Sequence, residues 1–245
     1  MSAFCDRMKM YEEIEAGRKF IPCLPVIARM DGRGFSKLTK RMAKPFDPWF
    51  SRSMDFLTEK LVEETNACIA YTQSDEVTLI FYSPTIKSQI WFDGKIHKMT
   101  SQLAAHASVN FNLMITQYPG ALYEEARGAS ATFDARLWQV PSLEEACNVL
   151  QWRESDAIKN SISMAACKEF SHKEMLNKSG EQLKCMLKDA GKPWEAWADR
   201  FKRGAYFARR AVGEKNPVVQ LALPIFSTIT NQTEVVFQSA DPKTE

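Results

Sequence analysis

Ala70-Tyr71-Thr72-Gln73-Ser74-Asp75-Glu76-Val77-Thr78-Leu79-Ile80-Phe81 holds two short apolar, β-prone runs joined by an acidic pivot. The spacing predicts a hairpin with strands over 67–73 and 77–82 and a carboxylate at its tip. Gly and Asn usually make such turns, so a Ser-Asp-Glu tip gives up turn propensity and sets two acids where they need a partner. Upstream, Leu24-Pro25-Val26-Ile27-Ala28-Arg29-Met30-Asp31-Gly32-Arg33-Gly34-Phe35 reads as an apolar strand over 24–31 ending in Asp31, where Gly32 allows close backbone approach. If the two strands are neighbours in one sheet, Asp31 and Asp75 converge, and a convergent carboxylate pair is the usual way to hold Mg²⁺ beside phosphates. Asp31-Gly32 and Ser74-Asp75 also read as plain turn residues.

The chain has 245 residues, 45% hydrophobic and 25% charged, which is ordinary for a globular protein. A net charge of +2 is too small to mark a nucleic-acid binder, so composition neither supports nor excludes an RNA partner. Cys5, Cys23, Cys68, Cys147, Cys167 and Cys185 show no C-x-x-C spacing, and most sit in apolar settings that suit buried, reduced thiols. His97, His106 and His172 are scattered singly, which gives no support to a zinc site or a histidine triad. The first residues lack an apolar signal core and no window approaches a membrane span, so the expectation is a cytoplasmic protein with no membrane partner.

Residues 3–16 place Phe4, Met8, Tyr11 and Ile14 at helical spacing. Asp47-Pro48 supplies an N-cap and a first-turn proline for a helix to about residue 65, with Phe50, Met54, Leu57 and Leu61 on one face. Met99, Leu103, Ala107 and Phe111 predict another helix over 95–116, followed by a loop bracketed by Gly120 and Gly128 and a strand over 130–140. Strand, helix, strand, strand, helix, strand is the ferredoxin-like order, an α+β fold over residues 1–140. Residues 141–245 read as a mainly helical C-terminal region. In it Ser142 and Glu145 cap a helix that runs toward Phe170, and 173–190 is a second helix. The alternation over 218–237 predicts a terminal β-hairpin, and 239–245 a frayed tail.

One acid ending the first strand and another on the neighbouring hairpin suit two-metal nucleotidyl transfer, in which two Mg²⁺ ions activate a hydroxyl and steady a leaving phosphate. Asp31 and Asp75 are the candidate metal ligands, with the Gly32 carbonyl completing the set. Arg29, Arg33, Lys44 and Lys98 are the candidate bases for triphosphate oxygens, and Gly34, Phe35 and Ser101 join the nucleotide-binding set. Glu76 has a supporting, metal or capping role. Between 200 and 210, Arg200, Lys202, Arg203, Arg209 and Arg210 surround Phe201, Tyr206 and Phe207, a mixture suited to phosphate pairing and base stacking or to a solvated amphipathic face.

Met30-Asp31-Gly32-Arg33, Ala43-Lys44-Pro45-Phe46-Asp47, Tyr71-Thr72-Gln73-Ser74-Asp75-Glu76, Phe133-Asp134-Ala135-Arg136 and Gln151-Trp152-Arg153-Glu154-Ser155-Asp156 stand in the order and approximate spacing of the tRNA(His) guanylyltransferases and their relatives. The chain resembles that 3′–5′ polymerase superfamily across residues 29–156, and beyond about 165 the likeness thins. The resemblance implies a polymerase-type palm, Mg²⁺, ATP and GTP or other nucleoside triphosphates as substrates, tRNA as partner and a homotetramer. Asp31, Gly32 and Asp75 match the metal-binding positions, and Lys44, Ser74 and Glu76 match positions tied to activity. Trp152, Arg153, Asp156 and Asn160, with Arg203 and Arg209 from the basic segment, form the expected tRNA-binding set.

The eukaryotic guanylyltransferases carry a His-Ile-Asn-Asn-Leu-Tyr run where this chain has Ile158-Lys159-Asn160-Ser161-Ile162-Ser163. The departure resembles the bacterial and archaeal guanylyltransferase-like proteins, and it implies template-dependent repair of truncated tRNA 5′ ends. The alternatives are addition of an extra 5′ G to tRNA(His) and, more remotely, a nucleotide cyclase on the same palm. A non-catalytic RNA-binding module leaves Asp31 and Asp75 unexplained.

Overall fold

The hairpin forms as β2 (Ile69–Gln73) and β3 (Glu76–Phe81), with Gln73 opposite Glu76, so that Ser74 and Asp75 alone make the turn. The computed structural model describes residues 3–117, 130–210 and 216–237, and both the loop bracketed by Gly120 and Gly128 and the tail over 239–245 lie outside them. β1 (Val26–Arg33) runs antiparallel to β3 on one side and to β4 (Thr132–Gln139) on the other. The acid-bearing strands are therefore neighbours, as their convergence requires.

One face of this sheet is the larger core. Val26, Ala28 and Met30 of β1 and Val77, Leu79 and Phe81 of β3 pack on two helices, α3 (Pro48–Thr65) and α4 (Ile96–Ile115). α3 begins where the Asp47 carboxylate accepts the Phe50 N–H at 2.9 Å, and it stops at Asn66 in the left-handed region. The chain between β1 and α3 makes a short helix α2 (Phe35–Leu38), entered through Gly34 at φ 72°.

The sheet does not end at residue 140. β5 (Ala205–Arg209) pairs with β2, and β6 (Val218–Leu221) pairs with β5, giving the order β4-β1-β3-β2-β5-β6. The boundary expected at 140 therefore does not fall between separate sheets. Gly204 makes the junction possible. Its φ is +80°, and a Cβ there would lie 2.5 Å from the Thr72 carbonyl oxygen.

α5 (Leu143–Glu169) covers the second face, with Ala146, Cys147, Leu150 and Ala157 against Ile27, Tyr71, Ile80 and Tyr206. The helix expected over 173–190 is two pieces, α6 (His172–Met175) and α7 (Gly180–Asp189), because Ser171 and Ser179 each open a capping box of their own. The terminal hairpin is built from β5 and β6 rather than from 218–237. After Leu221 the chain turns so that the Phe226 N–H meets the buried Glu154 carboxylate at 2.6 Å, and it ends in a short helix, α8 (Gln232–Phe237). Alternation predicts strand equally well there, but Phe226 is buried against Tyr206 instead of pairing.

Two expectations about the periphery change. Among the cysteines only Cys147 is buried, while Cys5, Cys23, Cys167 and Cys185 are exposed, and all six are free. They stand at a surface turn and on the outer faces of helices, where apolar neighbours in sequence do not mean burial. The first helix, α1 (Ala3–Ala16), forms as expected but buries none of its residues. No helix among the described residues is long and apolar enough to cross a membrane.

Candidate active site

Period-two alternation puts Arg29, Asp31 and Arg33 on the face of β1 opposite Val26, Ala28 and Met30. Asp31 stands directly across from Glu76 on β3 and from Asp134 on β4. The Gly32 N–H donates to the Asp75 carbonyl at 3.0 Å, which ties the hairpin tip to the end of β1. Gly32 is needed for a second reason, since a Cβ there would sit 2.5 Å from the Phe35 ring. At the tip, Ser74 holds φ +52°, an uncommon conformation for a residue with a side chain, and its hydroxyl donates to the Asp75 carboxylate at 3.1 Å.

Burial pushes the Asp75 carboxyl above its ordinary range, and the nearby Asp31 charge pushes it the same way against the hydrogen bonds from Ser74 and its own backbone. Two neighbouring carboxylates of which one resists ionisation fit a divalent cation, whose charge relieves both. The donors available, two carboxylates and the Gly32 carbonyl, are hard oxygens of the kind Mg²⁺ takes. Among the described residues no group of three His, Cys, Asp or Glu side chains forms a closed metal cage. Mg²⁺ in nucleotide sites needs none, because water and substrate phosphates fill the remaining positions.

Glu76 is held in place by other groups. Arg153 of α5 grips it through Nε at 2.7 Å and Nη2 at 3.0 Å while Nη1 holds Asp156 at 2.8 Å. Arg29 lies 3.6 Å from the same carboxylate, and its guanidinium lies over the Trp152 ring at 5.8 Å. This supporting role is one of the three left open for Glu76. It also changes the reading of Arg153 and Asp156, which brace the hairpin across α5, and of Arg29, which is turned toward α5. Trp152 remains half exposed beside them, between two guanidiniums.

A cleft of about 290 Å³ opens beside Asp75. Ser74, Asp75, Gln73 and Lys44 form its polar rim, and Met42, Phe46, Phe50, Met164 and Phe201 form its apolar wall. Phe46 stacks on Phe201 with ring centroids 5.2 Å apart. Lys44 is exposed with its ammonium on the Thr39 carbonyl at 2.9 Å, and it also lines a groove that continues past Asn160, Ser163 and Lys168 of α5. An apolar pocket with the Lys44 ammonium and the Asp75 carboxylate in its lining can seat a base and face its phosphates toward that acid. Arg33 and Gly34 are exposed just past Asp31.

Several expected site residues fall elsewhere. Phe35 is buried against Phe50, Phe111 and Phe133, where it supports Gly32 from below and touches the cleft only as floor. Lys98 and Ser101 lie near the start of α4, whose far end carries Phe111 beside Phe35. At 1.5 Å per residue Lys98 is about 20 Å and Ser101 about 15 Å from that end. Lys98 sits over the Phe92 ring instead, and Ser101 donates to the Lys98 carbonyl. Arg203 spends its guanidinium on Glu154, Asp199 and the carbonyls of Leu223 and Pro224, and Arg209 on the carbonyls of Glu63 and Asn216. These two hold the C-terminal strands in place.

Arg136 was not anticipated as a site residue. It reaches within 3.7 Å of Asp31 and 3.5 Å of Asp134 and is half exposed. Alternation on β4 puts Asp134 and Arg136 on the face of Asp31, a signal present in the Phe133-Asp134-Ala135-Arg136 run. The walls Met164 and Phe201 had no such signal, because they come from elements whose placement the sequence leaves open.

The Thg1 family model, described as tRNA(His) guanylyltransferase, matches residues 5–141. An uncharacterized protein, R259, of Acanthamoeba polyphaga mimivirus is 30% identical over 196 residues, 73% of this chain and 67% of its own. The structure is similar to that of a bacterial tRNA(His) guanylyltransferase (Thg1)-like protein in complex with ATP, at TM-score 0.84 and 29% identity over 97% of this chain and all of that one. It is also similar to a Thg1-like protein in complex with GTP, at TM-score 0.75 and 28% identity over 97% and 98% of the two chains. The chain spans 47% and 45% of the length of the probable tRNA(His) guanylyltransferases of mouse and human that it matches at 28% and 27% identity. A ferredoxin-like sheet that joins Asp31 to Asp75, a family model that covers β1 to β4 and likeness in both sequence and structure lead to one assignment: the chain belongs to the tRNA(His) guanylyltransferase (Thg1) family, and within it resembles the bacterial Thg1-like branch.

Proposed function

We propose that this protein is a template-dependent 3′–5′ nucleotidyltransferase that restores missing nucleotides at tRNA 5′ ends. The position of Asp75 in the Lys44 cleft, tied through the Gly32 N–H to the end of the strand that carries Asp31, supports this reading. In the first step a 5′-phosphate oxygen of the tRNA attacks the α-phosphorus of ATP or GTP. The α–β bond breaks, pyrophosphate leaves, and the tRNA end carries a 5′–5′ linked nucleotide. In the second step the 3′-hydroxyl of an incoming nucleoside triphosphate attacks the activated 5′-phosphorus, loses its proton and expels the nucleoside monophosphate. Mg²⁺, held by Asp31, Asp75 and the Gly32 carbonyl, would neutralise charge on the reacting phosphates. Ser74 fixes the Asp75 carboxylate, Glu76 and Arg153 stiffen the hairpin, the apolar wall takes the base of the activating nucleotide, and Lys44 meets its triphosphate.

Repair is favoured over addition of an extra G by the segment 158–163. Ser161 and Ile162 are buried, with Ser161 bonded to the Lys202 carbonyl and to Trp194, so they cannot reach RNA. Lys159, Asn160 and Ser163 alone are exposed there. A surface with so few readers leaves the choice of nucleotide to pairing with the opposite acceptor strand. The test compares catalytic efficiency on tRNAs lacking one 5′ nucleotide with that on full-length tRNA(His), in wild type and Asp75→Ala. Preferred extension of the truncated tRNAs, lost in the variant, is expected. Preference for an untemplated G would return the protein to tRNA(His) guanylylation, and a cyclic nucleotide formed without RNA would make it a cyclase.

A further inference from the structure

Phe46 follows Lys44-Pro45, and its ring is held by two rings from far along the chain. Trp197 meets it edge-on at 5.3 Å and 78°, and Phe201 lies parallel to it at 5.2 Å and 7°. The same loop is tied by the Asp47 carboxylate, which accepts the Ala43 and Phe50 N–H groups, each at 2.9 Å. The Lys44 backbone therefore takes its place from two anchors, Asp47 and Phe201. Phe201 belongs to a five-residue helix, Asp199–Arg203, too short to hold itself. Its Arg200 crosses to α3, where Nε donates to the Asp55 carboxylate at 2.7 Å and Nη2 to the Ser51 carbonyl at 3.4 Å. Both side chains of the pair are largely buried. Burial pushes the Asp55 carboxyl above its ordinary range, and the Arg200 charge pulls it back. A buried ion pair adds little stability over two apolar side chains of the same volume, but a guanidinium fork fixes direction. Arg200 and Phe201 line both the cleft and a second groove that holds Arg52, Asp55 and Phe56. They form the partition between the two, and Asp55 braces it from the groove.

We propose that the Asp55–Arg200 pair positions the nucleotide site: it sets Phe201, Phe201 sets Phe46, and Phe46 sets the loop that presents Lys44. The inference rests on the reading of the cleft as the seat of the activating nucleotide. Asp55 is then a positioning residue that touches no substrate. Its loss leaves a buried guanidinium without its counter-ion and lets Phe201 tilt from Phe46, so the nucleotide loses the apolar wall and the ammonium placed for its triphosphate together. Asp75 is held separately, by Ser74 and the Gly32 N–H. The effect therefore falls on nucleotide affinity and not on the chemical step.

Isothermal titration of ATP and of GTP, each with Mg²⁺, into the full chain without RNA tests this, alongside steady-state kinetics of nucleotide addition. Asp55→Ala should weaken both nucleotides about tenfold and raise KM for the activating one equally, with kcat and KM for tRNA changing less than about twofold. Asp55→Asn, whose amide oxygen still accepts the Arg200 N–H, should stay within about threefold of wild type. The apolar double variant Asp55→Leu/Arg200→Met keeps the volume without the fork, so it should melt no lower than wild type yet bind nucleotide about tenfold more weakly. A double variant that regains affinity along with stability would reduce the pair to packing and overturn the proposal. So would unchanged affinity in Asp55→Ala, or a loss shared between kcat and KM. Nucleotide uptake that follows these variants while truncated tRNAs go unextended would support this inference and overturn the repair reading, and a wild type that takes up neither nucleotide would overturn both.

Discussion

Asp75 shows how a single position can oppose the fold that holds it. Its carboxyl is raised above its ordinary value, so the folded state binds that proton more readily than the unfolded chain does. The contribution to stability is then greatest in acid, below about 3.8, and declines as pH rises through the folded value. At neutral pH without metal, Asp75→Asn should melt at a higher temperature than wild type and should lose the stabilisation Mg²⁺ gives wild type. Thermal scans in EDTA and in excess Mg²⁺ read both, and a lower Tm for the variant in EDTA would contradict the account. The Arg153–Glu76 pair works in the other direction. With both side chains largely buried, Arg153→Met leaves the Glu76 carboxylate with Arg29 at 3.6 Å and without its two short hydrogen bonds, and should cost about 1.5–3 kcal/mol. Adding Glu76→Gln should restore most of that loss, as chemical denaturation of the single and double variants would show. Activity should not return with stability, because neither variant stiffens the hairpin.

At the scale of elements, legibility followed locality. The acidic hairpin, the Asp47-Pro48 start of α3 and the Ser142 start of α5 were all written in neighbouring residues, and each forms as read. In the basic-aromatic segment Arg203 and Arg209 find partners at Glu63, Glu154, Asn216 and Leu223, which no local pattern reveals. Lys98 and Ser101 were misplaced although the sequence held the answer. In a βαββαβ unit the second helix starts where β3 ends, at the end of the sheet away from the hairpin tip. The break between α6 and α7 was also written, in Ser171-Glu174 and Ser179-Gln182, and helical periodicity hid it. Gly204 is the joint on which the C-terminal strands depend. Gly204→Ala meets both a positive φ and the Thr72 carbonyl, so it should destabilise the protein by about 2–4 kcal/mol while leaving helix content near normal. Equilibrium unfolding in urea measures it, and a loss below about 0.5 kcal/mol, the range of neutral surface changes, would mean β5 does not need this turn.

For the whole molecule the governing fact is that one sheet draws strands from both ends of the sequence. A fragment of residues 1–140 lacks Ala205, Phe207 and Val218 from the larger core and leaves β2 without its neighbour, so it should not unfold cooperatively. Near-ultraviolet circular dichroism and calorimetry check this, and a sharp transition would show the palm to be autonomous. The same topology sets a clock on synthesis. Gln73 leaves the ribosome 136 residues before Arg209, an interval of about 7 to 27 s at roughly 5–20 residues per second. Throughout it Ile69-Ala70-Tyr71-Thr72-Gln73 offers a bare hydrogen-bonding edge to any other nascent chain. Slower translation lengthens that exposure, and crowded polysomes multiply its consequences, so the yield of soluble protein is decided in those seconds.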